Sequence, residues 1–144
     1  MAFRELGYAV LAVLVAGTAL AHAGVKDPDV AARMHAMKAI GEDAKVLGSM
    51  VKSEALFDST AASAALSRIA ARAGEVPALF EKQSDDPASE ARPLIWQRFG
   101  DFAAEAKALE MAAVSAKVDT REELRVSMAS LAKACGSCHE TFRK

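Results

Sequence analysis

The stretch TREELRVSMASLAKACGSCHETFR, residues 120–143, carries the clearest structural signal in the chain. Thr120 followed by Glu123 matches a capping box, in which each side chain accepts a backbone N–H at the start of a helix. Apolar and cysteine residues then recur every three or four positions and so share one helical face. They are Leu124, Met128, Leu131, Cys135, Cys138 and Phe142. The sequence therefore predicts a long helix with both cysteines on its apolar face.

Two further helices are predicted earlier in the chain. One begins at Asp27-Pro28, with aspartate as the N-cap and proline as the first helical residue. Its apolar stripe is Val30, Met34, Met37, Ile40, Ala44, Leu47 and Val51. The next begins near Asp58 and extends to the Lys82–Ser84 region, where Pro77 can kink the helix or end it early.

Another helix is predicted after the polar loop Gln83–Pro87, starting near Ser89 or near Arg92. Its apolar positions are Leu94, Ile95, Phe99, Phe102, Ala106, Leu109 and Ala113. Strand-like alternation with hairpin turns does not occur in the sequence. Loops that look short make successive helices antiparallel neighbours. We therefore predict an all-α fold, an antiparallel up-down-up-down four-helix bundle with helices of about 23 residues or more, roughly 35 Å each.

The beginning of the chain resembles a secretory signal peptide. Arg4 precedes the uncharged run 7–21, and Ala21-His22-Ala23 provides small residues around a spacer. The alternative is an uncleaved membrane anchor, but the apolar run is short for a span of about 20 residues. We predict a cleaved signal peptide over 1–23, one domain over 24–144 and a periplasmic location.

The charge and hydropathy of the chain argue against binding to nucleic acid and against stable insertion into a membrane. The chain has 18 basic and 19 acidic residues, a formal net charge of −1, with no basic stripe suited to nucleic acid. The mean hydropathy of +0.11 owes much to the leader and to abundant alanine. We therefore expect no nucleic-acid partner and no stable membrane insertion of the mature chain.

The only two cysteines lie in Cys135-Gly-Ser-Cys138-His139, which is the pattern for covalent haem attachment. Two thiols three residues apart on a helix can form thioethers with two vinyl groups along one side of a porphyrin. His139 follows directly and can ligate the iron. The predicted cofactor is one covalently attached haem c per chain.

Four alternatives to haem attachment compete. A disulfide between these cysteines would close a very small loop and stabilise little. A thioredoxin-like C-x-x-C would lie at a helix N-terminus beside strands. A zinc site would need a fourth ligand, and only His22 and His35 remain as further histidines. A chance occurrence is the last alternative.

With these motifs in place, the sequence resembles the cytochrome c′ family, the class II c-type cytochromes, over essentially the whole mature chain. The motifs that carry the resemblance are Cys135–Arg143, Arg33-x-x-x-Met37-Lys38, and Pro93–Trp96 with Phe99 and Phe102. The resemblance implies an exported haem bundle of one of two kinds. One kind is high-spin with an open sixth position that binds small gases; the other is low-spin, with a first-helix methionine as sixth ligand.

Three residues are candidates for the sixth ligand: Met34, His35 and Met37. At 100° per residue His35 points about 200° away from Met37, whereas Met34 and Met37 are about 60° apart and both can face the core. Either methionine could also be ordinary core packing. Arg33, one turn before Met37, can pair with a haem propionate. The resemblance implies the same roles, so we assign Met37 as the ligand and Arg33 as a haem-contacting residue.

Two further features keep alternatives open. Arg143, four residues after His139, either modulates the iron potential or simply caps the helix. The aromatic residues Phe80, Trp96, Phe99 and Phe102 are predicted to pack the bundle, with one or more in contact with haem.

The predicted function is transfer of single electrons by a low-spin c-type cytochrome without enzymatic activity. The alternative is a high-spin protein that binds nitric oxide or carbon monoxide. A peroxidase would need a distal acid–base group, and His35 is on the wrong face. The partners are predicted to be redox proteins, and the resemblance allows a homodimer.

Overall fold

The computed structural model of the protein describes residues 24–144, so the predicted signal peptide lies outside the described residues. The helices are α1 (Pro28–Val51), α2 (Ser59–Leu79), α3 (Leu94–Gln97), α4 (Phe99–Val114) and α5 (Arg121–Phe142). Within 24–144 the only β pairing is an isolated bridge. The predicted all-α class is confirmed.

The helix starts predicted from capping residues are confirmed in α1 and α5. The Asp27 carboxylate accepts hydrogen bonds from the backbone N–H groups of Asp29 and Val30, and Pro28 is the first helical residue. Thr120 and Glu123 form the reciprocal capping box. Each cap satisfies backbone N–H groups that have no partner inside the helix.

The four long helices form the bundle, in which α1 packs on α2, α2 on α4, α4 on α5, and α5 on α1. The largest fully buried side chains are Val30, Leu47, Ile69, Ile95 and Leu124. They come from α1, α2, α3 and α5, and α4 contributes the buried residues Phe102, Ala106 and Ala113. Burial of this apolar surface is the main force holding the bundle together.

Helix α2 ends earlier than the predicted Lys82–Ser84 region. It stops at Leu79, two residues after Pro77. The structure thus shows the early end that was one of the two outcomes predicted for Pro77. Pro77 lies inside the last turn of α2, where its missing N–H removes the helical hydrogen bond to the carbonyl of Ala73.

The third predicted helix is broken, and its predicted length is wrong. Arg98 takes φ −130° and ψ 48°, outside the helical region, and separates the four-residue α3 from the 16-residue α4. The connection from α2, residues 80–93, is also longer than the short loop expected. Pro93 immediately precedes α3 and fixes its start close to the later of the two predicted positions.

The long connection is fastened to the start of α1 by Asp86, which is 4% exposed. Its carboxylate accepts backbone N–H groups from Ala88 at 2.9 Å, Lys26 at 2.8 Å and Asp27 at 3.1 Å. These backbone hydrogen bonds hold the pKa of Asp86 below its usual range. A charged acceptor at this point therefore joins two segments that are far apart in sequence.

We expect acid to weaken the fold through Asp86. Because its folded pKa lies below the unfolded value of about 3.9, its contribution is complete above that value and is lost as pH falls through the folded pKa. Asp86→Asn should lower the unfolding free energy at pH 7 and flatten part of its fall below about pH 4. Denaturant unfolding at several pH values measures both effects. An unchanged acid slope in the variant would contradict this role.

None of the helices in residues 24–144 combines the length and the hydropathy that crossing a membrane requires.

Candidate haem-binding site

The residues of the attachment pattern lie together in the last two turns of α5. Cys135 and Cys138 are half-buried free thiols, and His139 is exposed. Cys138 packs against the hydrophobic core. The pattern is thus at the end of a helix in an all-α fold, unlike a thioredoxin-like site, and the two thiols are not joined in a disulfide.

The environment of the thiols keeps them protonated. Burial raises the pKa of Cys135. Burial, followed by the negative charge of Glu105, raises the pKa of Cys138 to about 11. Among the described residues, no three His, Cys, Asp or Glu side chains are grouped to hold a metal ion.

The surroundings of His139 favour its neutral form over its charged form. Loss of hydration lowers its pKa, the positive charge of Arg143 lowers it further, and Glu90 acts in the opposite direction. The imidazole nevertheless keeps enough exposed surface to be accessible. A neutral imidazole has the lone pair that a metal ligand needs.

A short backbone pairing fixes the end of α5. Ala91 and Arg143 form the isolated antiparallel bridge. In it, the N–H of Arg92 donates to the carbonyl of Phe142 at 2.9 Å, and that of Lys144 to the carbonyl of Glu90 at 2.8 Å. The segment just before α3 therefore holds the helix terminus that carries His139.

Arg143 takes part in this pairing through its side chain as well. Its Nε donates to the carboxylate of Glu90 at 2.5 Å, and its Nη2 forms an ion pair with the same carboxylate. Its backbone N–H donates to the carbonyl of His139 at 3.0 Å. The cap is thus made by the backbone, while the side chain turns to Glu90, a partner that sequence reasoning did not identify.

Among the three sixth-ligand candidates, the structure distinguishes Met37. His35 is exposed, as its position on the helix predicted. Met34 and Met37 are both half-buried, but only Met37 packs against the core that Cys138 also contacts. Helix α1, which carries Met37, packs directly on α5, which carries the attachment pattern.

Arg33 has partners that its predicted role did not include. It is 3% exposed, and its guanidinium donates to the backbone carbonyls of Leu79 at 2.8 Å, Lys82 at 2.5 Å and Ser84 at 3.4 Å. The guanidinium thus satisfies backbone carbonyls at the end of α2 and in the loop that follows it. Contact with a propionate stays a prediction.

The aromatic residues pack together, as predicted. Phe102 is the centre of the group, with ring centroids 4.8 Å from Phe80, 6.0 Å from Phe99 and 5.4 Å from Phe142. Trp96 joins through a hydrogen bond of 2.8 Å from its Nε1 to the Phe80 carbonyl. The guanidinium of Arg33 lies 4.6 Å above the Phe80 ring, a favourable cation–π contact.

These features fit a covalently bound haem. Two free thiols lie one helical turn apart, as attachment to two vinyl groups requires, and the next residue supplies an imidazole. A core of small and aromatic side chains adjoins them, and a methionine on the neighbouring helix contacts the same core.

The chain is similar to known proteins over most of its length. The family model for cytochrome c′ matches residues 29–143. A cytochrome c-556 from Agrobacterium fabrum is 34% identical over 137 residues, 93% of each chain. A cytochrome c′ from Rhodopseudomonas palustris is 33% identical, over 99% of this chain and 97% of that one.

Similarity to solved structures extends to the fold. The structure of oxidized cytochrome c556 from R. palustris superposes with a TM-score of 0.76 at 30% identity, over 83% of this chain and 98% of that one. The chain belongs to the cytochrome c′ family, and its two cysteines fit the covalent attachment of the family's haem c.

Proposed function

We propose that this protein is a low-spin electron carrier with haem attached through Cys135 and Cys138 and with His139 and Met37 as axial ligands. The observation that carries the proposal is the position of Met37. Of the three candidate ligands on α1, it is the one that packs against the hydrophobic core that Cys138 also contacts. Relatives named c-556 and c-554 are compatible with this branch of the family.

The chemistry that haem supplies when bound is reversible one-electron exchange between ferric and ferrous iron. His139 and Met37 would offer two neutral donors, a combination that raises the reduction potential. The thiols of Cys135 and Cys138 would hold the group to α5. Neither the ligands nor the aromatic core presents an acid–base group for substrate chemistry, so we propose a carrier rather than an enzyme.

The second candidate function is gas binding at an open sixth position. It is favoured by the similarity to cytochrome c′ from R. palustris. One solved structure is the nitric oxide complex of a point mutant of cytochrome c′ from Alcaligenes xylosoxidans, but at 23% identity that similarity shows the fold alone. This alternative requires Met37 to be a packing residue, which is a role methionine often has.

Titration of the ferrous protein with carbon monoxide separates the two functions. A methionine already bound to iron must leave before the gas can bind, so we expect slow or absent binding. Changes in the absorption spectrum monitor the titration. Rapid, tight binding would favour the gas-binding function. Nitric oxide provides the same comparison with a second ligand.

We also propose the periplasm as the location, supported by the signal-like pattern before residue 24. The partners would be redox proteins that approach an exposed haem edge, with a homodimer as a further possibility. The near-neutral net charge gives no reason to expect a nucleic-acid partner.

A further inference from the structure

The ion pair between Glu90 and Arg143 lies beside the residue that we assign as the iron ligand. Arg143 follows His139 by one helical turn and donates its backbone N–H to the His139 carbonyl. The guanidinium is turned onto the Glu90 carboxylate through both Nε and Nη2. A fixed cation and its counter-charge therefore lie at the end of α5.

We propose that Glu90 is a positioning residue that holds Arg143 in place and offsets its charge, and thereby lowers the reduction potential of the protein. The inference rests on the proposed function, in which His139 ligates the iron. It assigns a part to a residue that lies 53 positions from Arg143 in the sequence.

Backbone hydrogen bonds, as well as the attraction between the two charges, fix the geometry of the Glu90–Arg143 pair. The backbone bridge between Ala91 and Arg143 aligns the two segments before any side chain contributes. Arg92 adds hydrogen bonds from its Nη1 to the carbonyls of Glu140 and Thr141. An isolated surface ion pair is usually mobile and weak, whereas this one is held by the backbone on both sides.

The two paired segments carry three basic and two acidic side chains. Arg92, Arg143 and Lys144 all come from the two paired segments, and the ammonium of Lys144 donates to the carbonyl of Ser89 at 3.1 Å. The carboxylate of Glu90 is the one bonded directly to Arg143, and Glu140 is the other acid in these segments. Removing the Glu90 charge would leave a cation near His139 without its counter-charge, which disfavours the ferric state.

Redox titration of the holoprotein with charge-removing variants tests the proposal. Glu90→Gln should move the midpoint potential upward. At the wild-type midpoint potential, the ratio of ferrous to ferric protein should rise about threefold, which is the size of effect expected for a screened surface charge. Arg143→Gln should move it downward. Glu90→Asp keeps the charge and should restore most of the wild-type potential.

Glu54→Gln is the matched control. It removes the same charge in the loop after α1, where neighbouring Ser53 contacts Arg121 at the opposite end of α5. It should leave the potential unchanged. The shift in Glu90→Gln should also shrink in 1 M salt, because the Debye length is then about 3 Å.

Two results would overturn the proposal. One is a fall in the thermal stability of Glu90→Gln with no change in its midpoint potential. The other is a shift of the midpoint potential in the same direction in Glu90→Gln and Arg143→Gln. Either would make the pair purely a structural fastening. A high-spin absorption spectrum would instead contradict methionine ligation, and the opposite potential shifts would still be measurable, so the two failures are distinguishable.

Discussion

Replacing Met37 with alanine is expected to convert the ferric holoprotein from low-spin to high-spin and to abolish the weak far-red methionine–iron band. Alanine has no donor atom, and it preserves α1 because it has the highest helix propensity. The variant should also bind carbon monoxide rapidly in the ferrous state. Absorption spectroscopy and a gas titration measure both changes.

Two matched variants separate ligation from packing at this position. Met37→Leu keeps the volume of the side chain and should cost less than about 1.5 kcal/mol in stability, yet it should show the same change of spin state. Met34→Ala alters the neighbouring half-buried methionine and should leave the spectrum unchanged. A spectrum of Met37→Ala identical to that of the wild type would show that Met37 is a packing residue.

Arg33→Ala is expected to lower the unfolding free energy by about 3 kcal/mol or more. The substitution leaves three backbone carbonyls, those of Leu79, Lys82 and Ser84, without the donor that satisfies them. The bond to Ser84 is buried and the other two are partly buried, and an unsatisfied buried acceptor costs about 1–3 kcal/mol. Packing against the Phe80 ring is lost as well. Chemical denaturation at constant haem content measures the difference.

Arg33→Lys distinguishes the two roles considered for this residue. Lysine retains the positive charge for a propionate but lacks the fork that reaches several carbonyls at once. A large loss of stability in this variant would support the role at the end of α2. Arg125→Ala is the surface control, since Arg125 and its partner Glu122 on α5 are both well exposed. A loss in Arg33→Ala no larger than in the control would contradict the account.

The parts of the fold that the sequence predicted are those that depend on local rules. The caps at Asp27 and Thr120 act within the first helical turn, so their residue types and spacing are sufficient to place α1 and α5. The attachment pattern was equally local, because Cys135, Cys138 and His139 lie within five consecutive positions. The exposure of His35 followed from helical periodicity alone.

The features that were missed depend on tertiary contacts. The break at Arg98 is a backbone conformation that no proline or glycine at that position marks. The partners of Arg33 are carbonyls, which every residue possesses, so no side-chain pattern could reveal them. Glu90 is one exposed acid among many until the backbone bridge brings it to Arg143.

The central claim, a covalent haem with His139 and Met37 as axial ligands, is tested most directly by the optical spectrum of the purified wild-type protein in both redox states. We expect a haem that stays attached after denaturation, a low-spin ferric spectrum and the far-red methionine band. A high-spin ferric spectrum without that band would contradict the claim and favour an open sixth position.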